Sequence, residues 1–93
     1  MINVVVSYDI TDDRRRNRLA RVLKDYGSRV QYSVFEAVVN EEQLEELMGR
    51  VEELLDNDED SVRYYLICAS CLKKVRVQGR EDKPFHEEDF IIV

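Results

Sequence analysis

One aspartate and a dense group of arginines near the N-terminus are the residues best suited to chemistry. Asp9 follows the apolar run at residues 4–6, and five arginines lie between positions 14 and 21. Carboxylate oxygens are the ligands that Mg²⁺ takes from proteins, and guanidinium groups match the geometry of phosphate. These residue types together predict contact with a phosphodiester. The arginines are Arg14, Arg15, Arg16, Arg18 and Arg21.

The segment before Asp9 is predicted to be a central β-strand that ends at the carboxylate. Residues 4–6 are three valines, which are β-branched, and the apolar run is too short for a helix. Because side chains alternate along a strand, Asp9 shares a mixed face with Val5, while the opposite face is wholly apolar or aromatic. We expect helices over the apolar face and Asp9 on the face that they leave open. The apolar face consists of Ile2, Val4, Val6 and Tyr8.

Size and composition predict a single domain that spans residues 1–93. The chain has 93 residues, 44% of them hydrophobic, which is enough for one modest core. No apolar run approaches the roughly 18 residues of a membrane-spanning helix, and the first residues lack the pattern of a signal peptide. We therefore expect a cytoplasmic protein without a membrane partner, in which both cysteines stay reduced.

The charge is unevenly distributed along the chain. The net charge of -6 argues against general nucleic-acid binding. Residues 1–35 nevertheless hold seven Lys/Arg against four Asp/Glu, whereas residues 36–93 hold seven against sixteen. A basic N-terminal third on an acidic body predicts one directed anionic partner rather than a generally adhesive surface.

An arginine-rich helix is predicted directly after Asp9. It is expected over residues 12–26, with Thr11 as its N-cap and Gly27 as the C′ residue that ends it with a positive φ. The apolar positions recur at helical spacing and form a buried stripe. The arginines expected on the opposite side are Arg14, Arg18 and Arg21.

The rest of the chain alternates between strand and helix signals. Residues 29–39 are rich in Val, Tyr and Phe but long for one strand, so we expect two strands with a tight reversal or a bulge near Ser33. Asn40 is predicted to cap a second helix, because Gln43 can reach back to the cap. The remaining strands are expected at residues 61–69, 74–78 and 90–93.

The order β-α-β-β-α-β predicts an α+β fold of the ferredoxin-like, or split βαβ, type. In that arrangement both helices cover one face of an antiparallel sheet, and the other face is left open. Residues 80–93 are predicted to be a C-terminal extension whose last apolar strand pairs with a second copy. The chain is therefore expected to form a homodimer.

Three strings in the N-terminal third form a specific combination. Residues 8–13 read YDITDD, residues 16–18 read RNR, and residues 26–36 read YGSRVQYSVFE. In this order they resemble the signature of the Cas-two family, the small CRISPR-associated protein of the spacer-acquisition machinery. The likeness is close over roughly the first 36 residues, and the order of the later elements agrees with the family fold.

The resemblance implies a ferredoxin-like homodimer in which the C-terminal strand of each chain joins the sheet of the other. It implies a metal-dependent endonuclease, using Mg²⁺ or Mn²⁺, that hydrolyses RNA or double-stranded DNA in CRISPR adaptation together with the Cas-one integrase. Asp9 matches the family's catalytic and metal-binding aspartate. The other matching positions linked to activity are Tyr8, Arg16, Arg18, Arg29, Ser33 and Phe35.

Other functions stay open for the same residues. Asp9 could simply turn the chain after the strand, and the arginines could be a solvated helix face that pairs with nearby aspartates. Phosphate contact is favoured, because five arginines outnumber those aspartates. The main alternative to a nuclease is a non-catalytic scaffold that positions DNA for the integrase. A ligand-sensing ferredoxin-like domain is a third possibility.

Two further features receive no functional role from the sequence. Cys68 and Cys71 have too few companion ligands for zinc in one chain, and a thioredoxin-type role would require them to begin a helix. Packing at a strand end is therefore the favoured interpretation. His86 and the acidic residues 81–89 are expected to be surface features.

Overall fold

The computed structural model describes residues 1–79 and 91–92. Within them the order of elements is strand, helix, strand, strand, helix, strand, followed by a short helix and two short strands. The bounds are β1 Ile2–Asp9, α1 Asp13–Lys24, β2 Gly27–Gln31, β3 Val34–Val39, α2 Glu41–Leu54, β4 Ser61–Ile67, α3 Ala69–Leu72, β5 Arg76–Val77 and β6 Ile91–Ile92.

The main sheet has four strands in the order β2-β3-β1-β4. All its pairings are antiparallel. The strand β1 lies between β3 and β4, which agrees with the prediction that it is a central strand. This is the ferredoxin-like α+β fold expected from the βαββαβ order. The longest of the helices in the described part of the chain has 14 residues, and none of them could span a bilayer.

The core forms between one face of the sheet and the two long helices. Alternate residues of β1 are buried there, and Val4 and Val6 are fully inaccessible. Leu19 of α1 and Leu47 of α2 are also fully inaccessible and belong to the same cluster. The predicted apolar face of β1 is therefore the face that lies under the helices.

The ends of α1 differ from the sequence prediction. The N-cap is Asp12 rather than Thr11, because the Asp12 carboxylate accepts a hydrogen bond of 2.9 Å from the backbone N–H of Arg15. The helix ends at Lys24, and Gly27 already begins β2. Gly27 does not have the predicted positive φ, which occurs among the described residues only at Gly79.

The two local features predicted around the β2–β3 hairpin are confirmed. The chain reverses between Gln31 and Val34, and the register of the pairing shifts between Arg29 and Gln31. At the start of α2, the Asn40 side chain accepts from the Gln43 N–H at 2.8 Å. The Gln43 side chain in turn accepts from the Asn40 N–H at 2.8 Å. Each interaction spans only a few residues, which makes it visible in the sequence.

The segment after β4 contains a helix that the sequence analysis did not predict. Cys68 is the N-cap of α3, so the cysteine pair does begin a helix, contrary to the expectation that it only trails a strand. Leu72 at the end of α3 is buried against Val5 and Ile67. The face of the sheet opposite the long helices is therefore partly covered by the chain's own segment rather than left bare.

The C-terminal pairing is described only in part. The strand predicted at residues 74–78 is shortened to Arg76–Val77, and it pairs in parallel with Ile91–Ile92 of the same chain. Residues 80–90 and 93, including His86 and the acidic segment, lie outside the described residues. That residues 80–93 join the sheet of a second copy stays a prediction.

Gly27 is required by close packing of the sheet rather than by a turn. A Cβ at this position would lie 2.2 Å from the Glu36 carbonyl oxygen and 2.7 Å from the Ala37 Cβ. Gly27→Ala should therefore lower the free energy of unfolding by about 1–3 kcal/mol, as overpacking does. Urea denaturation monitored by circular dichroism measures the effect.

Gly49 is the matched control, since it lies within α2 and a Cβ there would meet nothing within 4 Å. Gly49→Ala should raise the free energy of unfolding by about 1 kcal/mol because alanine favours the helix. If Gly27→Ala were as stable as the wild type, the packing account of β2 against β3 would be wrong.

Candidate functional site

Asp9 lies at the end of the central strand, on the side of the sheet away from the long helices. Its carboxylate is exposed, and it pairs across the sheet with Ser61 at the start of β4. The next pair on this face is Ser7 with Arg63. A shallow surface cleft of about 270 Å³ includes all four residues together with Tyr8 and Tyr65.

The side chains around Asp9 include oxygen donors of the type that a hard cation prefers, but only one of them is a carboxylate. The carboxylate of Asp9 and the hydroxyls of Ser7 and Ser61 are oxygen donors, which Mg²⁺ and Mn²⁺ prefer. Within residues 1–79, however, no three His, Cys, Asp or Glu side chains come together as a metal site. In this cleft one chain therefore offers a single carboxylate, that of Asp9.

Aromatic and arginine side chains form a cluster where the β2–β3 hairpin meets β1. The rings of Tyr8 and Phe35 lie 6.3 Å apart, and the Arg29 guanidinium carbon is 5.5 Å from the centre of the Phe35 ring. The Tyr8 hydroxyl donates to the Tyr32 carbonyl at 3.3 Å, and the Tyr8 N–H donates to the Ser33 carbonyl at 3.1 Å. The structure thus brings these predicted site residues together at the hairpin, whereas the Asp9 side chain lies on the opposite face of the sheet.

Tyr8 and Phe35 have a structural role in this cluster, because both are buried in the core, with exposures of 4% and 1%. Tyr32 is the exposed aromatic here, with 69% of its surface accessible. The sequence analysis did not single out Tyr32. Its exposure could have been predicted from its position, because an aromatic side chain in a tight turn between two strands is too far from the core to be buried.

Arg16 is fixed by its surroundings rather than extended into solvent. Its guanidinium donates to the Ile10 carbonyl at 3.0 Å, forms an ion pair with Asp13, and lies 5.6 Å from the centre of the Tyr32 ring. The bond to Asp13 is the main reason that the pKa of Arg16 is raised. These contacts place one positive charge between the start of α1 and the hairpin, close to Asp9 in the chain.

Three arginines form an exposed stripe along α1. Arg14, Arg18 and Arg21 are exposed and recur at helical spacing on one side. Among the described residues none of the three has a side-chain hydrogen bond or an ion pair. Their charges are therefore available to an anionic partner, whereas those of Arg15 and Arg16 are engaged within the chain.

Arg15 differs from the other arginines because it holds the loop before β4. Its Nε donates to the Asp60 carboxylate at 2.7 Å, and a second nitrogen lies 3.3 Å from the other carboxylate oxygen. The Asp60 side chain is fully inaccessible, and the Arg15 guanidinium is the first cause of its lowered pKa. The prediction that all five arginines of α1 act as one set is therefore modified: Arg15 stabilises the fold.

Arg63 was also not identified from the sequence. It reaches the cleft because β4 pairs with β1 in a register that sets Arg63 opposite Ser7. That register depends on a pairing between residues about 56 positions apart, so no local pattern indicates it.

Fold and site together define a ferredoxin-like α+β domain whose central strand ends at an exposed aspartate and is followed by a basic helix. The family model described as CRISPR associated protein Cas2 matches residues 1–75. The chain therefore belongs to the Cas2 family, as its N-terminal strings indicated.

Individual relatives agree with this assignment. The chain is 42% identical over 79 residues to a CRISPR-associated endoribonuclease Cas2 of Synechocystis sp., covering 85% of this chain and 86% of the relative. A solved structure of a hypothetical protein from Thermus thermophilus is similar with a TM-score of 0.81 and 43% identity, covering 90% of this chain and 98% of that one.

A chain from a partial Cas6-RT-Cas1–Cas2 complex is also similar in structure. The TM-score is 0.72 at 26% identity, and the match covers 81% of this chain and 82% of that chain.

The Arg15–Asp60 pair makes a pH-dependent prediction. Because the pKa of Asp60 is lowered in the folded chain, the pair stabilises the fold above the ordinary carboxyl pKa of about 4 and loses this effect as the pH falls through the lowered pKa. Arg15→Ala should lower the Tm at pH 7, and its deficit relative to the wild type should shrink in acid. Thermal unfolding at several pH values measures this.

Arg18→Ala is the matched control, since Arg18 has no partner among the described residues. Its Tm should follow that of the wild type at every pH. Equal effects of the two substitutions would refute the structural role of Arg15.

Proposed function

We propose that this chain is a metal-dependent endonuclease of CRISPR adaptation that hydrolyses phosphodiester bonds as a homodimer. The observation that carries the proposal is the exposed Asp9 carboxylate at the end of β1, beside a basic helix in an otherwise acidic chain. The relatives named as endoribonucleases support nuclease activity and favour RNA as the substrate. Double-stranded DNA is the second substrate class to test.

Different residues would bind the metal ion and the phosphates of a bound nucleic acid. Asp9 would hold Mg²⁺ or Mn²⁺, and the bound cation would supply charge neutralisation at the phosphate and a more acidic water. Arg63 in the same cleft can bind a phosphate oxygen, and Arg29 lies on the opposite edge strand, where it can bind a more distant phosphate. The stripe of Arg14, Arg18 and Arg21 would bind the phosphate backbone of the nucleic acid outside the cleft.

A second copy would supply the second carboxylate that one chain lacks in this cleft. A pair of Asp9 residues across a two-fold axis gives two carboxylates, which is sufficient for a cation that keeps most of its waters. The outer edge of β4 supports such pairing, since it has no neighbouring strand among the described residues. Tyr65 and Leu66 on this strand are 49% and 57% exposed.

A second candidate function is a scaffold that positions DNA without cutting it. The exposed arginine stripe favours this role, because phosphate contacts alone can fix a duplex in place. A similar chain occurs in a complex that contains Cas1. We therefore propose the Cas1 integrase as a protein partner in either case.

Asp9→Asn separates the two functions. Asn keeps the size of the side chain but removes the charge that holds a divalent cation, so metal-dependent cleavage should fall by at least about 100-fold. The fold and nucleic-acid affinity should be retained. Labelled RNA and duplex DNA incubated with Mg²⁺, with Mn²⁺ and with chelator measure cleavage.

Asp25→Asn is the matched control for Asp9→Asn. Asp25 is exposed at the opposite end of α1 and forms an ion pair with Arg50, away from the cleft. Cleavage by Asp25→Asn should equal that of the wild type. Wild-type cleavage by rigorously purified Asp9→Asn would assign the activity to other residues or to a contaminant, and the scaffold would become the better proposal.

The arginine stripe should set the salt dependence of nucleic-acid binding. Each phosphate contact displaces counterions, so combined replacement of Arg14, Arg18 and Arg21 by alanine should lower the slope of log K against log salt by about 3. Fluorescence anisotropy of a labelled duplex over a salt series measures the slope.

Arg15→Ala is the control for the stripe, because Arg15 is engaged by Asp60. It should leave the slope unchanged at a temperature where the variant is folded. A triple variant that binds with the wild-type slope would place the nucleic-acid surface elsewhere, for example around Arg29 and Arg63.

A further inference from the structure

The cysteine pair at the start of α3 is a chemically competent site that the nuclease and scaffold functions do not use. Cys68 and Cys71 are both exposed free cysteines, three residues apart. We propose that they form a redox-active dithiol, in which Cys68 attacks a small-molecule disulfide and Cys71 resolves the mixed disulfide. This proposal does not depend on nuclease activity.

The geometry of α3 places the Cys71 N–H and the Ser70 hydroxyl next to the Cys68 sulfur. The backbone N–H of Cys71 donates to the Cys68 Sγ at 3.4 Å, and the Ser70 Oγ lies 3.3 Å from the same sulfur. The Leu72 N–H donates to the Cys68 carbonyl at 2.8 Å, which closes the turn. The Cys71 backbone is therefore held against the Cys68 sulfur, and the two thiols also interact with each other.

The same contacts make the two thiols unequal. The hydrogen bonds from the Ser70 side chain, the Cys71 thiol and the Cys71 N–H lower the pKa of the Cys68 thiol to about 7. The interaction with Cys68 raises the pKa of the Cys71 thiol. A thiolate is the nucleophile in disulfide exchange, so Cys68 is the attacking group near neutral pH and Cys71 follows.

The exchange is balanced with a disulfide of the type RSSR as the oxidant. The Cys68 thiolate attacks one sulfur, the S–S bond of RSSR breaks, and one RS⁻ leaves while a Cys68–SR bond forms. Cys71 then loses its proton and attacks the Cys68 sulfur, which forms the Cys68–Cys71 bond and releases the second RS⁻. Two protein thiols are oxidised, and one disulfide is reduced to two thiols.

The position of the pair connects this chemistry to the sheet. Leu72 follows Cys71 directly and is buried against Val5 and Ile67 on the face opposite the long helices. A Cys68–Cys71 disulfide would fix the first turn of α3. It would therefore also fix the position in which Leu72 packs against Val5. Oxidation is therefore expected to slow hydrogen exchange at the Leu72 amide.

Oxidised glutathione is the probe for the reaction. After incubation at pH 7, intact mass spectrometry of the wild type should show loss of two hydrogens and no retained glutathione. Cys71→Ser should instead retain one glutathione on Cys68, because the resolving thiol is missing. Cys68→Ser should react at least about tenfold more slowly, since its remaining thiol is mostly protonated.

A second measurement separates this site from two ordinary surface thiols. The rate of iodoacetamide labelling of Cys68, followed by peptide mapping, should rise with a midpoint near the pKa of about 7, and Ser70→Ala should move that midpoint to higher pH. Circular dichroism checks that each variant is folded. Hydrogen exchange of the wild type in both redox states follows the Leu72 amide.

Two results would overturn the proposal, and a third would overturn its connection to the sheet. A wild-type product that carries glutathione on both cysteines would show that Cys71 does not resolve the adduct. Equal labelling rates and equal pH profiles for Cys68 and Cys71 would remove the assignment of the attacking thiol. Unchanged hydrogen exchange at Leu72 on oxidation would remove the link to the sheet.

Discussion

The two-residue alternation of side chains along β1 is the constraint on which both the core and the site depend. It places Val4 and Val6 under the helices with no accessible surface, and it therefore sends Val5 and Asp9 to the opposite side of the sheet. Since β1 is paired on both edges, its register cannot slip by one residue without exposing the core. The hydrophobic effect thus fixes the direction of a carboxylate that takes no part in the core.

Features governed by a few neighbouring residues could be predicted from the sequence, and features governed by distant contacts could not. The capping box of Asn40 and Gln43 and the reversal near Ser33 are local, and both are present. Gly27 looked like a helix terminator, yet what excludes a side chain there is the backbone of Glu36 across the hairpin. The sequence thus marked the right residue for a different physical reason.

The arginines of the candidate site follow the same division. Their number and spacing indicated a basic helix, but only the folded chain distinguishes Arg15, which holds Asp60, from Arg18, which has no partner among the described residues. Arg16 is intermediate, since Asp13 and Tyr32 fix its charge between the start of α1 and the hairpin. Arginines that are paired within the chain and arginines that are not therefore share one helix, and composition alone overestimates how many are available to an anion.

The face of the sheet opposite the long helices is divided along β1, and this division bears on how a second copy could approach. At Val5 the face is occupied by Leu72 of the same chain, whereas Asp9 remains exposed four residues further on, about 13 Å along the strand. A copy that docks on this face must either displace α3 or approach from the Asp9 end. The second route would bring two Asp9 carboxylates toward each other, and their repulsion would oppose association unless a divalent cation bound between them. Metal binding and dimerisation would then be coupled through Asp9. The position of α3 against Val5 would determine how much of this face of the sheet is accessible to the second copy.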